Sequence, residues 1–128
     1  MFQSLELFTT AGAMARHAGK RQAIVAGNVA NADTPGYRTR GIADFADVMD
    51  PAATDAMRAT RARHLNGTHP GALPQARVAE TTEREPNGNS VSVETELMKG
   101  VAARRQHDQA LAIYRAGLSL LRASLGRR

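Results

Sequence analysis

Small and apolar side chains recur every three or four residues along the first part of the chain. Between Leu5 and Ala32 this stripe consists of Leu7, Ala11, Met14, Ala18 and Val25, with Arg21 and Asn28 in the remaining places. The opposite face is polar and carries Gln3, Glu6, Thr10, Arg16 and Lys20. The pattern predicts an amphipathic helix of about 28 residues, which would be about 42 Å long.

A second helical pattern occupies the end of the chain. Ser92 is a good N-cap residue, and Glu94 and Glu96 place negative charge in the first turn, where the helix dipole favours it. Three- and four-residue steps then join Leu111, Tyr114, Leu118, Leu121 and Leu125. The same register extended backward reaches Val93, Leu97, Gly100, Arg104 and His107, so the first half is less apolar. Gly126 supplies a stop.

Neither stripe is wide enough to stabilise a domain alone. The chain has no Trp and only 4% aromatic residues, which argues against a core built around large rings. We therefore expect an all-α fold in which the two long amphipathic helices pack as an antiparallel coiled-coil hairpin. Gly12, Gly19 and Gly27 either destabilise the first helix mildly or let neighbouring helices approach closely, and the sequence does not separate these interpretations.

The segment between the helices has a different composition. It is rich in Asp, Gly and Pro and has weak periodicity, so the chain divides into residues 1–43, a variable segment 44–90 and residues 91–128. Short helices are predicted from about Ile42 or Asp44 to Met49 and from about Asp55 to Leu65, with a brief strand at residues 78–81. The rest of the segment is predicted to be irregular and partly disordered.

A turn signal closes the first helix. Asn, Asp and Thr side chains compete with helix by bonding to their own backbone, Pro35 lacks an N–H, and Gly36 permits positive φ. On composition alone, this stretch is a helix stop followed by a turn.

The same stretch also carries a resemblance. Asn28-x-x-Asn31-Ala32-Asp33-Thr34-Pro35-Gly36-Tyr37 is similar to the N-terminal signature of the bacterial flagellar rod and hook protein family. The flanking Arg38-x-Arg40-x-Ile42-x-Asp44-Phe45 and the distant Asn87-Gly88-Asn89-Ser90-Val91 strengthen it. With a length of 128 residues, the chain resembles the short proximal-rod members more than the longer hook and distal-rod members.

The resemblance implies a structural function and no enzymatic one. It implies a subunit of the proximal rod of the flagellar basal body that assembles helically with copies of itself and with other rod proteins to transmit torque for motility. The implied partners include the rod adaptor, the MS-ring proteins and the flagellar type III export apparatus. The implied location is the periplasmic rod, reached without a cleaved signal peptide, and no cofactor is expected.

Two sets of residues are predicted to matter. The turn residues of the motif would fix the direction in which the chain leaves the first helix: Asn28, Asn31, Ala32, Asp33, Thr34, Pro35, Gly36 and Tyr37. The apolar residues of the helices would form the assembly face: Leu7, Met14, Val25, Leu97, Val101, Leu111, Tyr114, Leu118, Leu121 and Leu125.

The charge of the chain supports a different function. The net charge is +5 and the pI is about 10.7, so a basic coiled-coil adaptor or a nucleic-acid-associated protein is the alternative. The excess is divided, however, with about +3, −2 and +4 in residues 1–43, 44–90 and 91–128. Because no single region concentrates the positive charge, binding to nucleic acid is not expected.

The sequence shows no pattern typical of a catalytic, metal-binding or phosphate-binding site. The chain has no cysteine, and His17, His64, His69 and His107 do not follow a metal-binding spacing, so neither a catalytic nor a metal site is predicted. Gly12, Gly19 and Lys20 do not fit a phosphate-binding loop. The acidic residues at 44, 47, 50 and 55 are interpreted as a solvated face. No signal peptide or membrane-spanning run is recognised.

Overall fold

A computed structural model of the chain describes residues 2–49, 77–78 and 84–126. In these ranges the elements are α1 (Phe2–Ala30), β1 (Arg40–Gly41), α2 (Phe45–Met49), β2 (Arg77–Val78) and α3 (Val93–Ser124). The predicted second short helix, from 55 to 65, lies outside the described residues, as do residues 79–81 of the predicted strand.

The two long helices form an antiparallel hairpin, which confirms the predicted fold class. Phe8, near the start of α1, packs against Tyr114 in the last third of α3, with the two ring centroids 5.0 Å apart and the rings at 74°. Val25, near the end of α1, approaches Gly100 in the first third of α3. The helix ends agree with the predicted ones to within three residues, and Ser92 accepts a hydrogen bond from the backbone N–H of Thr95 as the N-cap of α3.

Apart from Glu96, the seam between the helices consists of small residues. On α3 the buried positions follow a spacing of seven and are Glu96, Ala103, Ala110 and Gly117. On α1 they include Ala11 and Ala18, also seven apart. The packed face of α3 is therefore centred one residue before the predicted stripe. Side chains of α1 occupy the space beside its glycines, and the leucines lie beside the line of contact.

Three short elements of the described ranges lie between α1 and α3 along the chain. α2 is one turn and a half long and coincides with the predicted helix ending at Met49. β1 and β2 pair antiparallel over two residues each, with Arg40 opposite Val78 and Gly41 opposite Arg77. Within the described part of the chain, no helix has the combination of length and hydropathy that crossing a bilayer requires.

Candidate functional site

Asn28 lies in the last turn of α1 and is completely buried. Its Nδ2 donates hydrogen bonds to the backbone oxygen of Arg40 at 2.8 Å and to Oε2 of Glu96 at 2.9 Å. Its Oδ1 accepts from the backbone N–H of Arg40 at 3.0 Å and from the hydroxyl of Tyr37 at 3.3 Å. Both amide protons and both lone pairs are thus used. The carboxamide therefore joins the end of α1, the returning chain and α3.

Glu96 is a buried acid, with only 1% of its surface exposed. Removing a carboxylate from water is costly unless the group is paired and hydrogen-bonded. Here Oε2 accepts from Asn28, and Oε1 lies 2.6 Å from Nζ of Lys99, one turn later on α3. Asn28 and Glu96 therefore depend on each other, although 68 positions separate them.

Asn89, which precedes α3, is also completely buried. Its Nδ2 lies within hydrogen-bonding distance of three backbone oxygens, those of Asn31 at 3.0 Å, Ala32 at 2.7 Å and Thr34 at 2.9 Å. Its Oδ1 accepts from the backbone N–H of Val91 at 2.8 Å. Carbonyl groups just beyond a helix end lack helical partners. Asn89 supplies donors to these carbonyls from the other end of the sequence.

Two glycine turns meet beside these asparagines. Gly36 and Gly88 both have positive φ, +71° and +81°, which L side chains rarely adopt. The backbone N–H of Gly36 donates to the carbonyl oxygen of Asn87 at 3.1 Å. A Cβ added to Gly88 would lie 3.5 Å from Cα of Gly36. The two turns therefore contact each other through their backbones.

Thr39 and Ser90 complete the connection. The backbone N–H of buried Thr39 donates to Oγ of Ser90 at 3.0 Å, and its hydroxyl donates to the Ser90 carbonyl oxygen. The backbone N–H of Ser90 donates to the carbonyl oxygen of Tyr37 at 3.1 Å. We call residues 28–40 and 85–96, joined in this way, the two-turn junction. It is a polar connection that fixes the open ends of the two helices to each other.

Comparison with known proteins identifies the family. A model of the family described as flagella basal body rod protein matches residues 7–38, which cover most of α1 and the first turn of the junction. The flagellar basal body rod protein FlgB of Agrobacterium fabrum is 30% identical over 110 residues, 83% of this chain and 82% of the relative. The chain belongs to the FlgB family. FlgB of Cereibacter sphaeroides is 27% identical over 105 residues, 82% of each chain.

FlgB membership gives the chain a structural function as a subunit of the flagellar basal body rod. This confirms the function that the motif implied, and it does not favour the nucleic-acid-associated alternative. The family is one of structural proteins and not an enzyme class. In the described ranges, no three His, Asp or Glu side chains form a group that could hold a metal ion.

The FlgB motif residues have different positions in the junction. Asn28 is buried, whereas Asn31, Ala32 and Tyr37 are half-buried and Asp33, Thr34, Pro35 and Gly36 are exposed. Asn31 donates from Nδ2 to the carbonyl oxygen of Gly27 at 2.8 Å. Sequence reasoning missed Thr39, Asn89 and Glu96 as parts of the same site. The second glycine turn, at Gly88, was the only signal, and it pointed to the region around Asn89. It did not indicate that Asn89 would contact the end of α1.

The residues predicted for the assembly face lie outside the buried seam. Met14, Val25, Leu111, Leu118 and Leu121 are half-buried, and Leu7, Leu97, Val101, Tyr114 and Leu125 are exposed. Met98 and Leu120 are further large apolar side chains in this exposed position, with 76% and 72% of their surfaces accessible. The hairpin thus places alanine inside and much of its leucine, valine and methionine outside.

Proposed function

We propose that this FlgB-family chain is a proximal-rod subunit that assembles helically through the exposed apolar face of its hairpin and transmits torque. The supporting observation is the inverted distribution of side chains on α3. Met98 and Val101, one turn apart, are 76% and 71% exposed, while Ala103 and Ala110 are buried. Exposed apolar patches of this kind mark surfaces that bind other proteins.

An open helical tube needs an interface in which two different patches of the subunit meet. Such a heterologous contact repeats without closing when each subunit is related to the next by a rotation and a rise. The hairpin offers apolar side chains along its length, and each fully buried Leu would contribute about 1.5–3 kcal/mol. Copies and other rod proteins would pack side by side on this face.

Torque transmission requires that the two helices of a subunit keep their relative positions under load. The two-turn junction supports this requirement because it fastens the end of α1 to the start of α3 by hydrogen bonds from Asn28, Thr39 and Asn89. The tight alanine seam resists sliding along the rest of the hairpin. Residues 1–43 and 91–128 would form the packing unit, and 44–90 would vary between rod proteins.

The remaining parts of the proposal come from the family resemblance. The subunit would lie in the periplasmic rod, contact the rod adaptor and the MS-ring proteins, and leave the cytoplasm through the flagellar type III export apparatus without cleavage. The half-buried ring of Tyr37, next to Asn28, would offer a neighbouring subunit an amphipathic contact.

The assembly face can be tested separately from the fold. Val101→Asp and Met98→Asp introduce a charge where the side chain is already in water, so the free energy of unfolding should change by less than about 0.5 kcal/mol. In the rod the same charge would be buried, and swimming and recovery of intact rods should both be lost. Gln109→Asp, at an exposed polar position of α3, is the matched control and should swim normally.

Normal swimming of the Val101 and Met98 variants would contradict the proposed face. The alternative function, binding to nucleic acid, is tested by a gel-shift assay with labelled DNA. Such binding would weaken steeply as the salt concentration rises. We expect no shift at physiological salt.

A further inference from the structure

His17 is the largest completely buried side chain of the described residues and is not part of the two-turn junction. Its Nε2 donates to the backbone oxygen of Ala43 at 2.9 Å, across 26 positions of sequence. Its ring lies 5.5 Å from the ring of Phe45, measured between centroids. Nδ1 is buried and has no hydrogen-bond partner within the described part of the chain. Because Nε2 donates the proton, Nδ1 carries the lone pair.

A second contact lies next to the first along the chain. Nη1 of Arg21, one turn after His17 on α1, lies 2.9 Å from Oδ1 of Asp44 and 3.4 Å from Oε1 of Gln106 on α3. Asp44 is 69% exposed, so this ion pair holds weakly by itself. Residues 43–49, which we call the strap, thus touch α1 through three successive residues, and two of those contacts are made by His17.

A proton on Nδ1 would be poorly accommodated in the attached strap. It would create a buried charge and a buried N–H donor that faces no acceptor among the residues that the structure describes. Burial lowers the pKa of His17 from the ordinary 6.5, and the charges of Lys20 and Arg21 lower it further, while the Ala43 carbonyl and the Asp44 carboxylate act in the opposite direction. On α3, the side chain joined to this site is the neutral amide of Gln106, which accepts a hydrogen bond from Arg21 and not from His17.

We propose that the strap is held on α1 by a proton-operated latch, in which neutral His17 attaches residues 43–49 and protonation of its ring releases them. The ion pair between Arg21 and Asp44 guides the strap back to its position but does not hold it when the histidine is charged. The latch needs nothing from the rod and would operate in the isolated chain.

The direction of the pH dependence follows from the two states of the ring. When the strap is released, His17 gains access to water and the part of the pKa lowering that comes from burial is lost, so its pKa is higher than when the strap is attached. Attachment is therefore strongest above the pKa of the released state and weakens as the pH falls from that pKa to the lower pKa of the attached state. One proton changes the ratio of released to attached strap by at most about tenfold per pH unit in that window.

The test is a pH titration of the full chain by ¹⁵N nuclear magnetic resonance between pH 8 and 4.5, with trimethylamine N-oxide at one fixed concentration to keep the hairpin folded. We expect the His17 ring at high pH to carry its proton on Nε2 and to titrate with a midpoint below 6.5. The backbone amides of residues 44–48 should move toward random-coil shifts with the same midpoint. A midpoint at or above 6.5, or strap amides that do not follow the ring, would overturn the latch.

A matched pair of variants separates the latch from general acid sensitivity. The His17→Gln variant keeps a donor for the Ala43 carbonyl but has no titrating group at this position, so the strap amides should lose their pH dependence. His107→Gln removes a histidine whose side chain is 43% exposed and should leave that dependence unchanged. An unaltered strap titration in His17→Gln would reject the proposal, and if this variant fails to fold, the titration of the unmodified chain decides.

Discussion

At the scale of single residues, the two-turn junction depends on carboxamides that donate and accept at the same time. Asn28 meets a carbonyl, a carboxylate, an N–H and a hydroxyl, and Asn89 meets three carbonyls and an N–H. A carboxylate of the same shape has no donor for these carbonyls, and an apolar side chain has neither donor nor acceptor. The two buried positions therefore require Asn for reasons of hydrogen bonding and not of size.

Replacement of Asn28 should be the most damaging change in the family motif. Asn28→Ala removes the hydrogen bond to Oε2 of Glu96, which then keeps only its Oε1 pair with Lys99, and the bonds to both backbone groups of Arg40. Each group left unsatisfied in the interior costs about 1–3 kcal/mol, so we expect a total of at least about 3 kcal/mol. Asn28→Asp should be at least as harmful because its carboxylate faces Glu96. Urea unfolding followed by circular dichroism, with equal trimethylamine N-oxide in every sample, measures the difference.

Asn31→Ala is the matched control for this prediction. Asn31 lies three residues from Asn28 in the same motif, is half-buried, and donates to one carbonyl, that of Gly27. Its Oδ1 also accepts from the exposed hydroxyl of Thr34 at 3.3 Å. Loss of these two hydrogen bonds near the surface should cost about 1–2 kcal/mol, less than the loss of Asn28. Equal losses for the two alanine variants would show that burial of Asn28 is not what makes it important.

The sequence predicted part of this site and could not predict the rest. The motif identified Asn28 and Tyr37, and turn chemistry identified Gly36, because these signals are local. The partners Glu96 and Asn89 are more than fifty positions away. A glutamate in the first turn of a helix has an adequate local explanation in the dipole, so nothing nearby indicated that Glu96 would be buried.

At the scale of the helices, the main feature of the seam is that side chains of α1 pack tightly against the small residues of α3. A Cβ added to Gly117 would lie 2.8 Å from Cδ2 of Leu7 and 3.1 Å from two ring atoms of Phe8. Ordinary contacts to a Cβ are longer, so α1 already occupies the space that an alanine would need. Gly19, on the exposed face of α1, has nothing within 4 Å of a Cβ in the same position.

These two glycines predict opposite effects of the same substitution. Gly19→Ala should stabilise the isolated chain by up to about 1 kcal/mol, because alanine favours the helix. Gly117→Ala gains the same preference but overpacks the seam, which typically costs about 1–3 kcal/mol, so it should lower the free energy of unfolding. Urea titrations monitored at 222 nm, with equal trimethylamine N-oxide in every sample, compare the two variants. A stabilised Gly117→Ala would show that the seam has room for the added methyl group.

Gly19→Ala also separates the two interpretations of the helix glycines. If Gly19 merely weakens α1, the alanine variant should swim like the unmodified strain. If a neighbouring helix approaches Gly19 in the rod, the added methyl group should impair swimming although the isolated chain becomes more stable. We expect impaired swimming, because the rod is proposed to pack helices side by side.

The register of α3 shows why helix existence is easier to predict than helix packing. Two lines of residues on α3 share a period of seven and differ by one position. One line is Ala103, Ala110 and Gly117, and the other includes Leu111 and Leu118. Sequence reasoning favours the larger residues as the buried ones, since they gain more from burial. The chain instead places them beside the seam, because side chains of α1 such as Leu7 and Phe8 already occupy the space that a larger residue would need at Gly117.

At the scale of the whole molecule, the hairpin is fastened at its two ends and thinly packed between them. One end has the edge-to-face pair of Phe8 and Tyr114, and the other has the two-turn junction. Among the described residues, the buried apolar side chains are Ala11, Ala18, Val91, Ala103 and Ala110. Such small side chains remove little apolar surface from water, so they stabilise the monomer only modestly.

Because this core is thin, we expect the isolated chain to be only marginally folded and to gain helix on assembly. Dilute protein should show a broad, low-temperature loss of the circular dichroism signal, and trimethylamine N-oxide should increase the helical signal because it favours burial. Added rod proteins should do the same if they cover the exposed face that includes Val101. A sharp, cooperative transition from a fully helical monomer would contradict it, since the seam would then suffice without neighbours.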